Sequence, residues 1–365
     1  MYEGTQQVEA ARKRIAQWLW RKSNLKREQE HRLRYFFWEA TLRCNLSCLH
    51  CGSDCMKDAT SIDFPADKVV KVFRDIAKKY NPGKITVAIT GGEPLVRKDL
   101  FDVTAEINKL GFPWGMVTNG TLADEKTIGK CIDTGMYTAV VSLDGIGEPH
   151  DWLRNRKGVY NAALNALKLF KAAGKLSIVE VITCANPKNI KQLDDIYEVL
   201  MDIGVDSWRI FSIFPKGRAV RNPELIIDRE LLLELLEFIK EKRLSEPVMK
   251  ISYSEEGYLG CGYEGEVRDL LFYCPAGVNV GGLLADGSYS ACPSLSRNWI
   301  QGHADNMTFP EAWETRYENM RNREWMKNKM CDGCPEWKNC RNSSLHLWDW
   351  EKHRPSLCHY RFLGG

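Results

Sequence analysis

Residues 38–52 read WEATLRCNLSCLHCG and place Cys44, Cys48 and Cys51 in a C-x3-C-x2-C spacing directly after the apolar run Tyr35-Phe36-Phe37. Three thiolates this close can bind three irons of a cubane cluster and leave the fourth without a protein ligand. Soft sulfur donors select iron–sulfur clusters or zinc. An iron with an open position can hold and reduce a small molecule, whereas a fully ligated iron is limited to electron transfer. Taken alone, the triad also fits a zinc knuckle or three unrelated buried cysteines.

The rest of the chain narrows these options. It has 365 residues, enough for a barrel and a smaller module, and a net charge of +3. That charge is too mild to point to nucleic acid. The start, MYEGTQQVEA, has no apolar signal core, and no stretch approaches a membrane span. A cytoplasmic protein is expected. Thirteen cysteines, an odd number in close-set groups, favour metal binding over disulfides in such a compartment. Cluster chemistry also implies reducing, low-oxygen surroundings.

Three segments follow from the pattern. Residues 1–33 form a basic arm with Arg12, Lys13, Arg14, Arg21, Lys22, Lys26, Arg27 and Arg32, and with Ile15, Trp18 and Trp20 at helical spacing. The expected arrangement is a helix on the outside of the barrel with a solvated basic face. A membrane-surface or acidic-partner contact is the alternative. Residues 34–245 alternate between strand and helix. Apolar, β-rich runs fall at 35–40, 85–90, 112–118, 137–143, 177–184 and 206–213, with helical periodicity near 66–80, 99–110, 122–134, 160–173, 190–203 and 228–243. This predicts an α/β fold whose parallel sheet curls into an open or closed barrel. Its chemistry belongs at the carboxyl ends of the strands. Residues 246–365 change texture: they hold seven cysteines, a hairpin signal at Asp286-Gly287 and little periodicity. Such a segment is expected to use metal clusters as staples.

Gly91-Gly92-Glu93-Pro94 follows the second predicted strand. By itself it is a common strand-to-helix turn. Together with the cysteine triad it resembles the radical S-adenosylmethionine (SAM) enzymes. That resemblance implies a partial (β/α)6 TIM-type barrel, with a 4Fe-4S cluster on Cys44, Cys48 and Cys51 that binds SAM at its open iron. One electron then splits a C–S bond and yields a 5′-deoxyadenosyl radical. It also implies that Gly91, Gly92, Glu93 and Pro94 meet the SAM amino group and that His50 lies near adenine. Ser142 and Arg154 would face the ribose and carboxylate, although a capping serine and a surface arginine read equally well from the residues.

The spacing Cys274-x12-Gly287-x4-Cys292, then Cys331-x2-Cys334-x5-Cys340 and Cys358, resembles the SPASM extension of radical SAM maturases. This implies two auxiliary iron–sulfur clusters. One is held by Cys331, Cys334, Cys340 and Cys358, where the residues alone also fit a zinc ribbon. The other is held by Cys261, Cys274 and Cys292. Ser344 stands where the family has a further cysteine, which leaves an open iron, one ligated by water, Ser344 or a distant residue such as Cys55, or a site that is smaller or empty. Cys131 and Cys184 read as packing residues.

Most enzymes with this extension modify a ribosomally made peptide or a protein side chain, by crosslinking, thioether formation, oxidation or epimerisation. The resemblance therefore implies a peptide or small-protein substrate and a flavodoxin- or ferredoxin-type electron donor. A small molecule such as a tetrapyrrole or cofactor precursor is the alternative. Pro293 argues against a formylglycine-generating enzyme, which has an acidic residue there. A non-enzymatic iron–sulfur carrier or regulator is disfavoured by the mild charge and by the Gly-Gly-Glu-Pro motif. Residues 33–55 are also similar to a subgroup encoded beside small lipoproteins. No acid or base residue is legible.

Overall fold

The computed structural model describes residues 2–58, 63–245, 248–254 and 256–365, apart from the side chains of residues 2–10, 13 and 14. The arm side chains Lys13 and Arg14 thus lie outside the described residues. The arm is a helix, α1 (Tyr2–Glu30). The central unit then alternates β1 (Tyr35–Thr41), α2 (Ala66–Lys79), β2 (Thr86–Gly91), α3 (Leu100–Lys109), β3 (Trp114–Thr118), α4 (Glu125–Asp133) and β4 (Met136–Ser142). It continues with α5 (Glu148–Leu153), α6 (Val159–Ala172), β5 (Ile178–Ala185), α7 (Leu193–Ile203), β6 (Ser207–Ser212), α8 (Arg229–Leu244) and β7 (Lys250–Tyr253).

Neighbouring strands from β1 to β7 pair in parallel. Parallel strands need helical crossovers, and those helices cover the sheet, which is why the strands are rich in large apolar residues. Trp38, Trp114, Trp208, Phe36 and Phe73 are fully buried between sheet and helices.

The expected six strands are all present, and the sheet is larger than expected. β7 adds a strand beyond β6. At the other edge, β8 (Val280–Leu283) pairs in parallel with β1, in the register Tyr35↔Val280 to Trp38↔Leu283. β9 (Ser288–Ser290) and β10 (Gly302–His303) then pair antiparallel. The order is β10-β9-β8-β1-β2-β3-β4-β5-β6-β7, an open barrel with β10 and β7 at its edges. An uncovered β1 would present unpaired backbone groups, and β8 pairs with them. Gly281 and Gly282 make this possible, since a Cβ at Gly281 would lie 2.5 Å from Phe309 and one at Gly282 would lie 3.0 Å from the Phe37 carbonyl. The predicted Asp286-Gly287 turn joins β8 to β9, with Gly287 at φ +89°.

Two expectations are corrected. α1 does not lie only along the barrel: Glu28 accepts from Arg341 at 2.7 Å and from the Tyr273 hydroxyl, so the helix end is tied to the C-terminal segment. That segment is also packed into the core of the barrel, with the Phe309 ring 4.8 Å from that of Phe36. Phe309, Trp313, Tyr317 and Trp299 are fully buried, and the buried Arg323 lies over the Tyr273 ring at 4.4 Å while donating to the Cys274 carbonyl at 2.6 Å. Aromatic residues there supply area that short, irregular chain lacks.

Two glycines test this packing. A Cβ at Gly115 in β3 would sit 2.0 Å from Thr138 Oγ1, whereas at Gly129 in α4 nothing lies within 4 Å. Gly115→Ala is expected to destabilise by about 1–3 kcal/mol through overpacking. Gly129→Ala should stabilise by about 0.5–1 kcal/mol, because alanine loses less backbone entropy in a helix. Thermal unfolding of both variants beside wild type measures the signs.

Candidate active site

The cysteine loop leaves the carboxyl end of β1 and is clamped by backbone on two sides. From the β2 side, Gly92 N donates to Thr41 O at 2.7 Å and Glu93 N to Arg43 O at 3.0 Å. A Cβ at Gly92 would lie 2.0 Å from the Arg43 carbonyl, and one at Gly91, where φ is +126°, would lie 2.2 Å from that of Thr41. Only glycine allows such an approach. From the turn after β6, a Cβ on Gly217 would lie 2.4 Å from Cys51 O. Arg218 donates to Cys48 O at 2.7 Å, Asp54 at 2.9 Å and Cys55 O at 2.8 Å.

Cys44, Cys48 and Cys51 line one end of a cavity of about 320 Å³ inside the barrel, together with His50, Gly91, Gly92, Ser142 and Arg154. Burial pushes the Cys44 thiol up to about 11 and raises Cys48 as well, with Arg154 opposing at Cys48. Cys51 is lowered instead, by the hydrogen bond from Cys55 and by the Arg218 charge. Burial without charge compensation disfavours the thiolate, so such a set suits a cation that replaces the protons.

Arg154 is the fixed charge of this end. Its Nε donates to Asp144 at 2.6 Å, and Nη1 lies 3.8 Å from Cys48 Sγ. Asp144 is fully buried and also accepts from Cys184 N at 2.8 Å. Burial opposes both charges, yet each partner holds the other ionised: Asp144 is lowered and Arg154 raised. His50 is held neutral, lowered to about 4 by burial and by Arg154, and its Nδ1 has no partner among the described residues.

Glu93 is turned away from the cavity wall, as is Pro94. Its Oε1 accepts from Thr118 Oγ1 at 2.8 Å, and its Oε2 accepts from Asn119 N at 2.8 Å. Burial lifts Glu93 to about 7 against those bonds. The glycines of the motif line the cavity, and the glutamate braces strand ends beneath it. Cys131 packs in the core as expected. Cys184 does not stay in the core: it reaches the cavity wall beside His50 and Asp144, their ligand atoms lying within 4.8 Å of one another.

The late cysteines separate into two places. Cys331, Cys334, Cys340 and Cys358 line one small cavity of about 40 Å³. Cys274 and Cys292 instead line a second compartment of the barrel cavity, of about 260 Å³, continuous with the first through Thr90, Ile182 and Phe214. The expected Cys261–Cys274–Cys292 set is not brought together. Cys261 Sγ sits 3.4 Å from Glu336 and 3.1 Å from the Tyr258 hydroxyl, in a turn tied to the other four cysteines. Ser344 is buried and donates to the Glu256 carbonyl at 3.0 Å, and Cys55 pairs with Cys51 rather than with Cys274 or Cys292. Lys216, Arg218, Glu256 and His346 reach the cavity without any spacing that marks them in the sequence.

The three-cysteine loop, with glycine backbone laid against it, stands at the carboxyl ends of parallel strands, where barrels of this kind place their chemistry. Residues 38–200 match the Radical SAM superfamily, so the chain carries a radical SAM domain, the domain of an enzymatic family. This family uses SAM and a 4Fe-4S cluster. The chain is 25% identical over 325 residues to an AdoMet-dependent heme synthase of Methanosarcina barkeri, covering 84% of this chain and 90% of the relative. The Streptococcus suis SuiB structure with bound S-adenosylmethionine superposes with a TM-score of 0.70 at 17% identity, covering 90% of this chain and 77% of SuiB. The anSMEcpe structure with AdoMet and the Cp18Cys peptide gives 0.68 at 19% identity, covering 90% and 93%. No helix among the described residues is long and apolar enough to cross a membrane.

The buried Asp144–Arg154 pair carries a stability prediction. Asp144→Ala leaves a buried guanidinium unpaired and should destabilise by about 3–5 kcal/mol. Glu234→Ala, which breaks the exposed pair with Lys191, should change stability by at most about 1 kcal/mol. Because the Asp144 pKa is depressed in the fold, the wild-type contribution is present above the ordinary carboxylate range and is lost as pH falls through the folded value. Denaturant titrations of both variants across the acid range measure this difference.

Proposed function

We propose that the chain is a radical SAM maturase that modifies a side chain of a ribosomally made peptide or protein. The observation that carries this reading is the second compartment. At about 260 Å³, walled by Phe211, Phe214, Phe272 and Leu295, it lies below the usual size of a site for a drug-sized ligand. It has room for one amino-acid side chain beyond the first compartment. The peptide-bound relative in fold supports the same reading. A second reading, a tetrapyrrole or cofactor-precursor substrate, is favoured by the heme synthase at 25% identity.

The donor set fits the family's cofactors. Cys44, Cys48 and Cys51 would hold the cluster; Cys55, hydrogen-bonded to Cys51, and Cys184 line the same cavity outside that spacing. Gly91 and Gly92 offer backbone with no side chain in the way, and Ser142, Arg154 and His50 offer polar groups to SAM. When bound, the cluster supplies one electron that opens a SAM C–S bond and starts the reaction by hydrogen-atom removal. The chain's own part is positional. Gly92 and Arg218 hold the loop, Arg154 places a positive charge beside Cys48, and the aromatic wall excludes water from the second compartment. Cys331, Cys334, Cys340 and Cys358 would hold one auxiliary cluster. Cys274 and Cys292, without Cys261, make no equivalent third site. The electron comes from a flavodoxin- or ferredoxin-type donor.

Anaerobically reconstituted protein with dithionite and SAM is expected to release 5′-deoxyadenosine. A genome-encoded peptide library should accelerate that release, and iron coproporphyrin should not. Acceleration by the porphyrin alone would replace the first reading with the second. The Cys44/Cys48/Cys51→Ala variant should lose about half of the iron and all 5′-deoxyadenosine, since two thiolate sites remain to be counted rather than three.

A further inference from the structure

One buried acid on the cavity wall has no role in holding the cysteine loop. Glu256 lines both compartments and is 2% exposed. Its Oε2 accepts from the Ser212 hydroxyl, which itself pairs with the Tyr253 hydroxyl at 2.8 Å. Its Oε1 is buried and has no hydrogen-bond partner among the described residues. Its backbone carbonyl is pinned by Ser344.

A purely structural buried carboxyl normally has both oxygens satisfied. Here one oxygen is fixed and the other is left over in the wall of a cavity, which is the arrangement of a group that waits for a ligand. The groups facing Glu256 are Tyr253 on β7, Arg268 in the following loop, His359 with Nε2 4.0 Å from Oε2, and Cys184 on β5. His346 lines the same compartment and also keeps an unpaired Nε2. None of these gives Oε1 a partner.

We propose that Glu256 is the general base of the substrate reaction, its Oε1 accepting a proton from an O–H, S–H or N–H group of the side chain seated in the second compartment. This assignment rests on reading that compartment as the substrate site. The proton passes from the substrate heteroatom to the carboxylate, which becomes the neutral acid. The heteroatom keeps the bonding pair, and no electron leaves or enters in this step. Ser212 and Tyr253 are positioning residues that fix the rotamer through Oε2. Burial supports the role by pushing Glu256 up to about 8, against Ser212 and Arg268, so that its carboxylate is a stronger base than an exposed one.

Two measurements test the proposal. In the first, anaerobic holoenzyme is treated with dicyclohexylcarbodiimide, which adds to protonated carboxyls in apolar surroundings, and the adducts are mapped by mass spectrometry. Glu256 is expected to form an N-acylurea at pH 6.5, with labelling reduced about tenfold or more at pH 9.5. The adduct should be absent in Glu256→Gln and retained in Ser212→Ala, which leaves the carboxyl in place. No adduct at Glu256 in either wild type or Ser212→Ala overturns the proposal and leaves the peptide reading standing. In the second, kcat/KM for an accelerating peptide should rise with pH and level off above about 8. Glu256→Gln should lower kcat more than it alters KM and flatten that rise. An unchanged ascending limb in Glu256→Gln, with the folded protein retaining its clusters, would assign the limb to another group and overturn the proposal.

Discussion

The structure depends on a backbone approach too close for any side chain. Gly92 lies against the Arg43 carbonyl and Gly217 against that of Cys51, at distances where a Cβ would overlap the oxygen. These contacts bind three separated parts of the chain: the end of β1, the turn after β2 and the turn after β6. A loop carrying three cysteines has little apolar area and few hydrogen bonds of its own. Its shape is imposed by the barrel on both sides, so strand register and cysteine placement are one constraint. A slip of β2 by one residue would move Gly92 off the loop and turn the following side chains to the wrong face.

The same barrel keeps buried charges in separate states. Asp144 and Arg154 stay ionised because each is the other's partner, with further hydrogen bonds to the carboxylate. Glu93 is fixed by Thr118 and Asn119 beneath the loop and is lifted by burial to about 7, whereas Glu256, with one oxygen unpaired among the described residues, is lifted to about 8. Environments that push like groups apart are how one cavity holds both a structural acid and a reactive one. The basic end of the cavity lies at the cysteine loop and the acidic group lies toward the aromatic compartment. A cofactor with a carboxylate and a substrate with a proton to lose would therefore meet different walls.

Much of this was legible in the sequence. The six alternating strand and helix segments lie within a few residues of their predicted bounds, because buried parallel strands need apolar runs and their helices need periodicity. The cysteine spacing and Gly91-Gly92 were legible for a similar reason: chemistry and close approach restrict the residue type. What was not legible depends on distant pairing. β8 reads as part of a hairpin, and nothing local shows that Val280 will pair beside Tyr35 on β1. Cys261 is a partner for Cys274 and Cys292 by the resemblance, yet Tyr258 and Glu336 hold it elsewhere. Glu256 sits in Tyr253-Ser254-Glu255-Glu256-Gly257, a polar stretch with no spacing signal. Only the fold shows that one of its oxygens is tied to Ser212 and the other is unpaired.

The central claim is that the cysteine loop presents one cluster with an open iron while the four late cysteines close off another. Electron paramagnetic resonance of the one-electron-reduced, anaerobically reconstituted protein, recorded with and without SAM, tests it most directly. The account predicts two reduced-cluster signals, of which one shifts on adding SAM and the other stays fixed, with the shifting signal absent from the Cys44/Cys48/Cys51→Ala variant. Signals that are all indifferent to SAM, or a shifting signal that survives in that variant, would contradict it.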